Sequence, residues 1–447
     1  SSKRLAPLLL HFDVNKTVLL TDSIDSKTCD DCVREAVSEL FWGHLEERPE
    51  GLHWSWIEIA PQAFPPTRPA DIDAKAELCT YAKYCNRALK DKKDRRSAMR
   101  SFRLLEETRA KERMEKFVAE AAERMKLPPE VANSKKAEQI GLRGSTYLML
   151  PAIFHLTADL VRRKQQFAVV FRSFGKDHAK IQEEWNAFCE MKHPVFSHLL
   201  EGYGPLNGTV EGVPDRRLHD IHTLYRDQHG PVLALNTFTN GPPEKSWDSW
   251  AKLEPKPLED TRDGRTFLRD INCTAVEGMQ DLHKFFEEIL SNQCTIAIKD
   301  DWAWWTWNGE SSDSGKLLCV LPMVCRQLFF DDNIDWEEPR IVDCRGEDGR
   351  PIPKEKSLQS LITKVNPVEA LIDNDYFLRA LERCHGPMEP VPAAVLEEVV
   401  PDVSWEQPDY GWPFNMLCCC SSADRSAVVL GNSQTQTATA NGKDFSM

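Results

Sequence analysis

The feature that most constrains this chain is a recurring one: a short, predominantly apolar run that stops at a polar or acidic residue in a turn. It occurs at residues 8–13 (Leu-Leu-Leu-His-Phe-Asp), at 167–173 (Phe-Ala-Val-Val-Phe-Arg-Ser) and at 326–331 (Arg-Gln-Leu-Phe-Phe-Asp). Strands that face water on one side alternate apolar and polar residues. Continuous apolar runs belong to strands covered on both faces, as in parallel sheets flanked by helices. Further runs stand at 294–298, 316–321 and 341–343, and helical patterns at 26–45, 150–163, 177–191, 277–290 and 368–383. Strands alternating with helices predict a doubly wound, Rossmann-like α/β fold, in which polar residues at the carboxyl ends of neighbouring strands converge on one crevice.

Between the first two strand ends, residues 71–127 contain neither glycine nor proline and are dense in Ala, Glu, Lys, Arg and Leu. That composition predicts amphipathic helices. The chain therefore divides into an α/β core at 1–50 and 146–388, a helical cap or insertion at 51–145, and a low-complexity, disordered tail at 389–447 with Cys418 to Cys420 as a candidate lipid-attachment site. The basic stretch at 87–100 is interleaved with Asp91 and Asp94 and reads as a solvated helix face. The tryptophans of 302–307 read as an extended segment, with Trp302 and Trp304 on one face and Trp305 and Trp307 on the other.

Composition narrows the function classes. With 70 acidic against 56 basic side chains, the formal charge of -14 opposes a polyphosphate, so no nucleic-acid partner is expected. The apolar run near the start is broken by Pro7 and His11 and falls far short of the roughly 20 residues that cross a bilayer. Neither a signal peptide nor a transmembrane segment is expected. The 14 cysteines are spread thinly through apolar surroundings and read as reduced thiols, which predicts a cytoplasmic protein. Cys29 and Cys32 lack a second closely spaced pair, and His219 and His222 lack a third ligand, so neither pair reads as a metal site.

In chain order the strand ends offer Asp13-Val-Asn-Lys-Thr17, then Ser173, then a lysine, then Asp331-Asp332. This arrangement resembles the haloacid dehalogenase-like hydrolase superfamily, which consists largely of magnesium-dependent phosphatases. The resemblance covers the core and leaves the insertion, the loop-rich middle and the tail aside. It implies that Asp13 is a nucleophile taking a phosphoryl group as an aspartyl-phosphate, that Thr17 sits in the turn behind it, and that Ser173 holds a phosphate oxygen. Lys316 or Lys299 would neutralise the transferring group. Lys316 is preferred, because it follows Gly315 directly before a strand whereas Lys299 shares its turn with Asp300 and Asp301. Asp331, with Asp332 behind it, would hold Mg²⁺ together with Asp13 and the backbone carbonyl of Asn15. The chemistry requires such a mixture, since a phosphate dianion approaches a carboxylate only when a hard cation and an ammonium group offset their repulsion.

Asn15 is a departure. In the family its place holds an aspartate that protonates the leaving group and later activates water, and an amide exchanges no proton near neutral pH. The leading expectation is a magnesium-dependent hydrolase of a small phosphorylated molecule. The alternatives are a weak or inactive family member that binds or scaffolds a protein partner through its insertion or tail, and a dehalogenase.

Overall fold

Leu8, Leu9, Leu10 and Phe12 are all fully buried, and so are the residues around them, because the strand they form lies inside a sheet. The computed structural model describes residues 6–21, 28–142, 144–237, 264–270 and 273–388. The described strands are β1 (Leu8–Asp13), β2 (Trp42–Arg48), β3 (Gly51–Trp56), β4 (Leu78–Thr80), β5 (Phe167–Ser173), β6 (Leu218–Asp227), β7 (Gly230–Ala234), β8 (Ala275–Glu277), β9 (Thr295–Lys299), β10 (Lys316–Cys319), β11 (Arg326–Asp331), β12 (Val342–Arg345) and β13 (Ile362–Lys364). Eight of them form the central sheet in the order β13-β11-β1-β5-β9-β6-β7-β8. From β13 to β6 every neighbour is parallel, and the antiparallel β7 and β8 complete one edge.

The architecture is thus α/β, with a large and mostly parallel sheet flanked by helices. Its middle is aromatic: the Phe12 ring on β1 stacks on Phe330 of β11 at 4.7 Å, and Phe377 from the Tyr376–His385 helix meets both edge-on. Charged side chains also enter this core, but in pairs. Arg172 on β5 is fully buried, donates through Nε to Asp300 at 2.9 Å, and shares its remaining donors with its surroundings. A buried charge requires this kind of pairing, since an isolated one would pay the full desolvation cost.

Two smaller sheets stand beside the large one. β10 and β12 pair in parallel, and β3, β2 and β4 form an antiparallel sheet in that order. β3 and β4 fall within residues 51–145, which the sequence reading made helical, while β2 precedes them; the helices Tyr81–Ala88, Lys92–Ser101 and Thr108–Arg124 follow β4 in the chain. The helical pattern at 26–45 therefore ends early: the helix is Cys29–Ser38, and Trp42 onward is strand. The tryptophans correct the sequence reading outright. Trp302–Trp307 is a helix, started by Asp301, whose Oδ1 accepts the Trp304 N–H at 3.0 Å. Helical spacing brings Trp302 and Trp305 to one face, where both pack on the cluster around Phe174, Leu318 and Ile334. The pattern at 368–383 likewise breaks into Pro367–Ile372 and Tyr376–His385, because Asp373 accepts the Asp375 N–H at 2.9 Å and turns the chain. The tail read at 389–447, with its cysteine triplet, lies outside the described residues.

Candidate functional site

β1 and β11 lie side by side and run the same way, so Asp13 and Asp331 come to the same end of the sheet. The chain after Asp13 folds back on itself: Val18 and Leu19 both donate to the Val14 carbonyl, at 3.0 and 2.8 Å, and Lys16 takes a positive φ of 56°. This turn presents the Thr17 hydroxyl to the neighbouring loop, where it accepts the Asp332 N–H at 3.1 Å. One bond therefore fixes the loop after β1 against the loop after β11.

Lys316 joins the two aspartates. Its Nζ donates to Asp331 Oδ2 at 2.7 Å and is also bonded to Asp13 Oδ1. A second ammonium group, that of Lys16, is bonded to Asp332. Asp331 Oδ1 accepts the Asn333 N–H at 2.9 Å, and Asp332 Oδ1 accepts the Asn333 side-chain amide at 3.0 Å. Asp13, Asp331 and Asp332 each turn an oxygen inward, and these atoms all lie within 4.8 Å of one another.

Three buried carboxylates here face two ammonium groups. Burial pushes the Asp13 carboxyl well above the usual carboxylate range; Lys316 pulls it back, while Asp331 and Asp332 push it further up. For Lys316 burial works downward, and Asp13 and Asp331 outweigh it, holding the ammonium above its ordinary value. A carboxyl lifted by desolvation and by two like neighbours marks a site short of positive charge. Three oxygens this close suit a small, hard divalent cation, and nothing in the donor set selects one metal.

The other expected residues lie in the turn after β1 and at the ends of β5 and β9. Asn15 is buried, and its Oδ1 has no hydrogen-bond partner. Ser173 ends β5, one residue beyond Arg172, the register partner of Asp13, and its Oγ accepts the Gly175 N–H at 2.9 Å. Its own hydroxyl hydrogen is thereby left to donate elsewhere. Lys299 is buried at the end of β9, in register with Ser173 and two strands from β1. Of the two candidate lysines, Lys316 is the one that bridges Asp13 and Asp331. The doubtful metal pair of the sequence separates: exposed His219 contacts Asp215 at 3.1 Å, while buried His222 accepts the Asn236 N–H at 3.0 Å.

Sequence reasoning missed four neighbours. Phe174 lies under the lysine, with Lys316 Nζ 5.3 Å from its ring centre, and is itself stacked on Trp305. Lys364, on β13, donates to the Asp332 carbonyl at 3.0 Å and pairs with Glu39. Arg226 and Asp343 stand behind the start of β10. The adjacency of Phe174 to Ser173 was a usable signal; Arg226 and Asp343 are joined only by the fold.

No family model, curated protein or solved structure matches the chain. Among the described residues, no helix is long and apolar enough to cross a membrane.

Proposed function

We propose that this chain is a haloacid dehalogenase-like, magnesium-dependent hydrolase of doubly wound, Rossmann-like architecture, acting on a small phosphorylated molecule. The observation that carries the reading is Lys316, seated between Asp13 and Asp331 at the ends of two adjacent parallel strands. The free thiols among the described cysteines agree with a reducing, cytoplasmic setting.

In this reading Asp13 attacks phosphorus and becomes an aspartyl-phosphate, while the leaving oxygen departs on the far side. Asp13, Asp331 and Asp332 would hold Mg²⁺, which supplies positive charge to the phosphoryl oxygens. Lys316 neutralises Asp13 as the phosphate approaches, and its bond to Asp331 keeps the ammonium aimed. Ser173 donates its hydroxyl to a phosphoryl oxygen. Thr17 holds the loops after β1 and β11 in register, which keeps the nucleophile and the acidic pair at one centre.

Asn15 limits the chemistry to leaving groups that depart without a proton, and it favours a second reading, in which the site binds a phosphorylated ligand without turnover. The two separate in one experiment. With Mg²⁺ and an aryl phosphate, the enzyme reading expects a phosphoryl adduct on Asp13, detectable by mass spectrometry and absent from Asp13→Asn. Binding of beryllium fluoride with no adduct from any ester supports the second reading. If neither adduct nor binding is found, both are wrong.

A further inference from the structure

β10 carries Lys316, yet it is not a strand of the central sheet: among the described residues it pairs only with β12. Something else must fix it against β1 and β11. The peptide carbonyls on either side of Lys316 are each held by a buried arginine from the central sheet. Arg172 on β5 donates to the Leu317 carbonyl at 3.0 Å, and Arg226 on β6 donates to the Gly315 carbonyl at 2.7 Å. Each guanidinium is in turn oriented by a carboxylate: Arg172 by Asp300, and Arg226 by Asp343 of β12 at 2.6 Å. Arg345 shares that Asp343 oxygen at 2.7 Å and also holds the Asp313 carbonyl at 3.1 Å. The Arg226 backbone is anchored as well, its N–H donating to Asp301 at 3.0 Å.

The backbone here has no slack. A Cβ on Gly315 would lie 2.2 Å from the Ile341 carbonyl oxygen, and the Lys316 N–H donates to that same oxygen at 2.7 Å. The start of β10 is therefore pressed on one side against β12 and clamped on the other by Arg226. Planar guanidinium groups suit this task, since one can serve a carbonyl and a carboxylate at once in fixed directions.

We infer that Arg226 is a positioning residue for Lys316, one half of a two-arginine clamp that sets the ammonium between Asp13 and Asp331. The inference takes Lys316 as the lysine of the site proposed above, but its test does not depend on turnover. Competitive acylation of the folded protein, read by mass spectrometry, reports how accessible each lysine is. Lys299, equally buried but on β9, serves as the internal reference. In Arg226→Met, labelling of Lys316 should rise about tenfold or more relative to Lys299, the scale of losing a hydrogen bond to a charged group. Arg226→Lys, which restores a charge but only one line of contact, should recover part of the protection. Beryllium fluoride binding in Mg²⁺ should weaken in the same order.

If Arg226→Met does not fold, Asp343→Asn replaces it, with a smaller rise of the same selectivity expected. Equal labelling of both lysines, or no rise at Lys316, would overturn the inference, because a merely structural arginine loosens the core without preference. If the native protein binds no beryllium fluoride while Lys316 is still selectively released, the positioning role stands and the phosphoryl-transfer reading falls.

Discussion

Nζ of Lys316, on β10, lies 2.7 Å from Oδ2 of Asp331, on β11, although the two strands belong to different sheets. The same ammonium also satisfies Asp13, so one charge serves two buried carboxylates. Lys316→Met would leave both uncompensated. Removing one partner of a buried ion pair costs about 3–5 kcal/mol, and urea unfolding at neutral pH should show a loss of that order. Asp13 is already raised by burial, and the loss of Lys316 raises it further. A raised folded-state value means stability that is full at acid pH and declines as pH rises through it. The deficit of the variant should therefore widen from acid to neutral pH, and a deficit independent of pH would contradict the ion-pair account.

A divalent cation held by the three clustered carboxylates would offset their repulsion, so on the proposed reading millimolar Mg²⁺ should raise the melting temperature of the native protein. Binding to the folded state alone adds about 2.7 kcal/mol when the ion is at one hundred times its dissociation constant. Asp331→Asn removes one of the three clustered carboxylates and should shrink the effect. An unchanged melting temperature across the titration would argue that no magnesium site forms here.

Much of this centre was legible because strand ends are local. The apolar runs before Asp13, Ser173 and Asp331 identify buried strands, and parallel neighbours bring their ends together. The lysine was legible only as a choice of two, since nothing local says that β10 leaves the central sheet. β6 was legible only as part of a stretch of loops and short strands: His219, Asp220, His222 and Arg226 give it no apolar run, and its hairpin with β7 and its pairing with β9 make it a ten-residue strand. The tryptophan run was misread because two-fold alternation and helical spacing both accommodate aromatics. The N-cap at Asp301 starts the helix, and Trp305 on it stacks on Phe174.

Gly315→Ala tests how tightly the start of β10 is held. A new Cβ would meet the carbonyl oxygen of Ile341 at 2.2 Å and its carbon at 2.5 Å, both backbone atoms with no side-chain rotation to escape by. Overpacking of this sort costs about 1–3 kcal/mol, and the displaced peptide carries Lys316 with it. Chemical denaturation should register the loss, and Mg²⁺ should stabilise the variant less than it does the native protein.

Glu369 ties the segment around Ala63 to the Pro367–Ile372 helix. Burial pushes its carboxyl up to about 7, against the pull of the Ala63 N–H, which it accepts at 2.9 Å, and of Arg383 and Arg379. Its contribution is full below the ordinary carboxyl value and is lost as pH rises through about 7. Glu369→Gln should therefore remove a fall in stability between mildly acid and neutral pH, worth about 3 kcal/mol at most. Melting curves collected across that range would decide, and parallel curves for the two proteins would rule the effect out.

Asn15 allows the sharpest test of the chemistry. If Asp13 is a working nucleophile that lacks only a proton donor, the defect depends on the leaving group. An aryl phosphate departs as a stable phenolate, an alkyl phosphate as a strongly basic alkoxide, so residual turnover should favour aryl esters. Asn15→Asp should raise turnover of alkyl phosphates by something approaching the roughly 10²- to 10⁴-fold attributed to general acid catalysis. It should raise aryl turnover less at the leaving-group step, and Asp13→Asn should abolish both. Hydrolysis of the aspartyl-phosphate needs a base as well, so the native protein should accumulate that intermediate as a burst of phenolate followed by slow turnover. Equal gains for aryl and alkyl esters in Asn15→Asp would mean that the amide limits a step other than leaving-group departure. If neither protein turns over any ester or forms an adduct on Asp13, the site is not a phosphoryl-transfer centre.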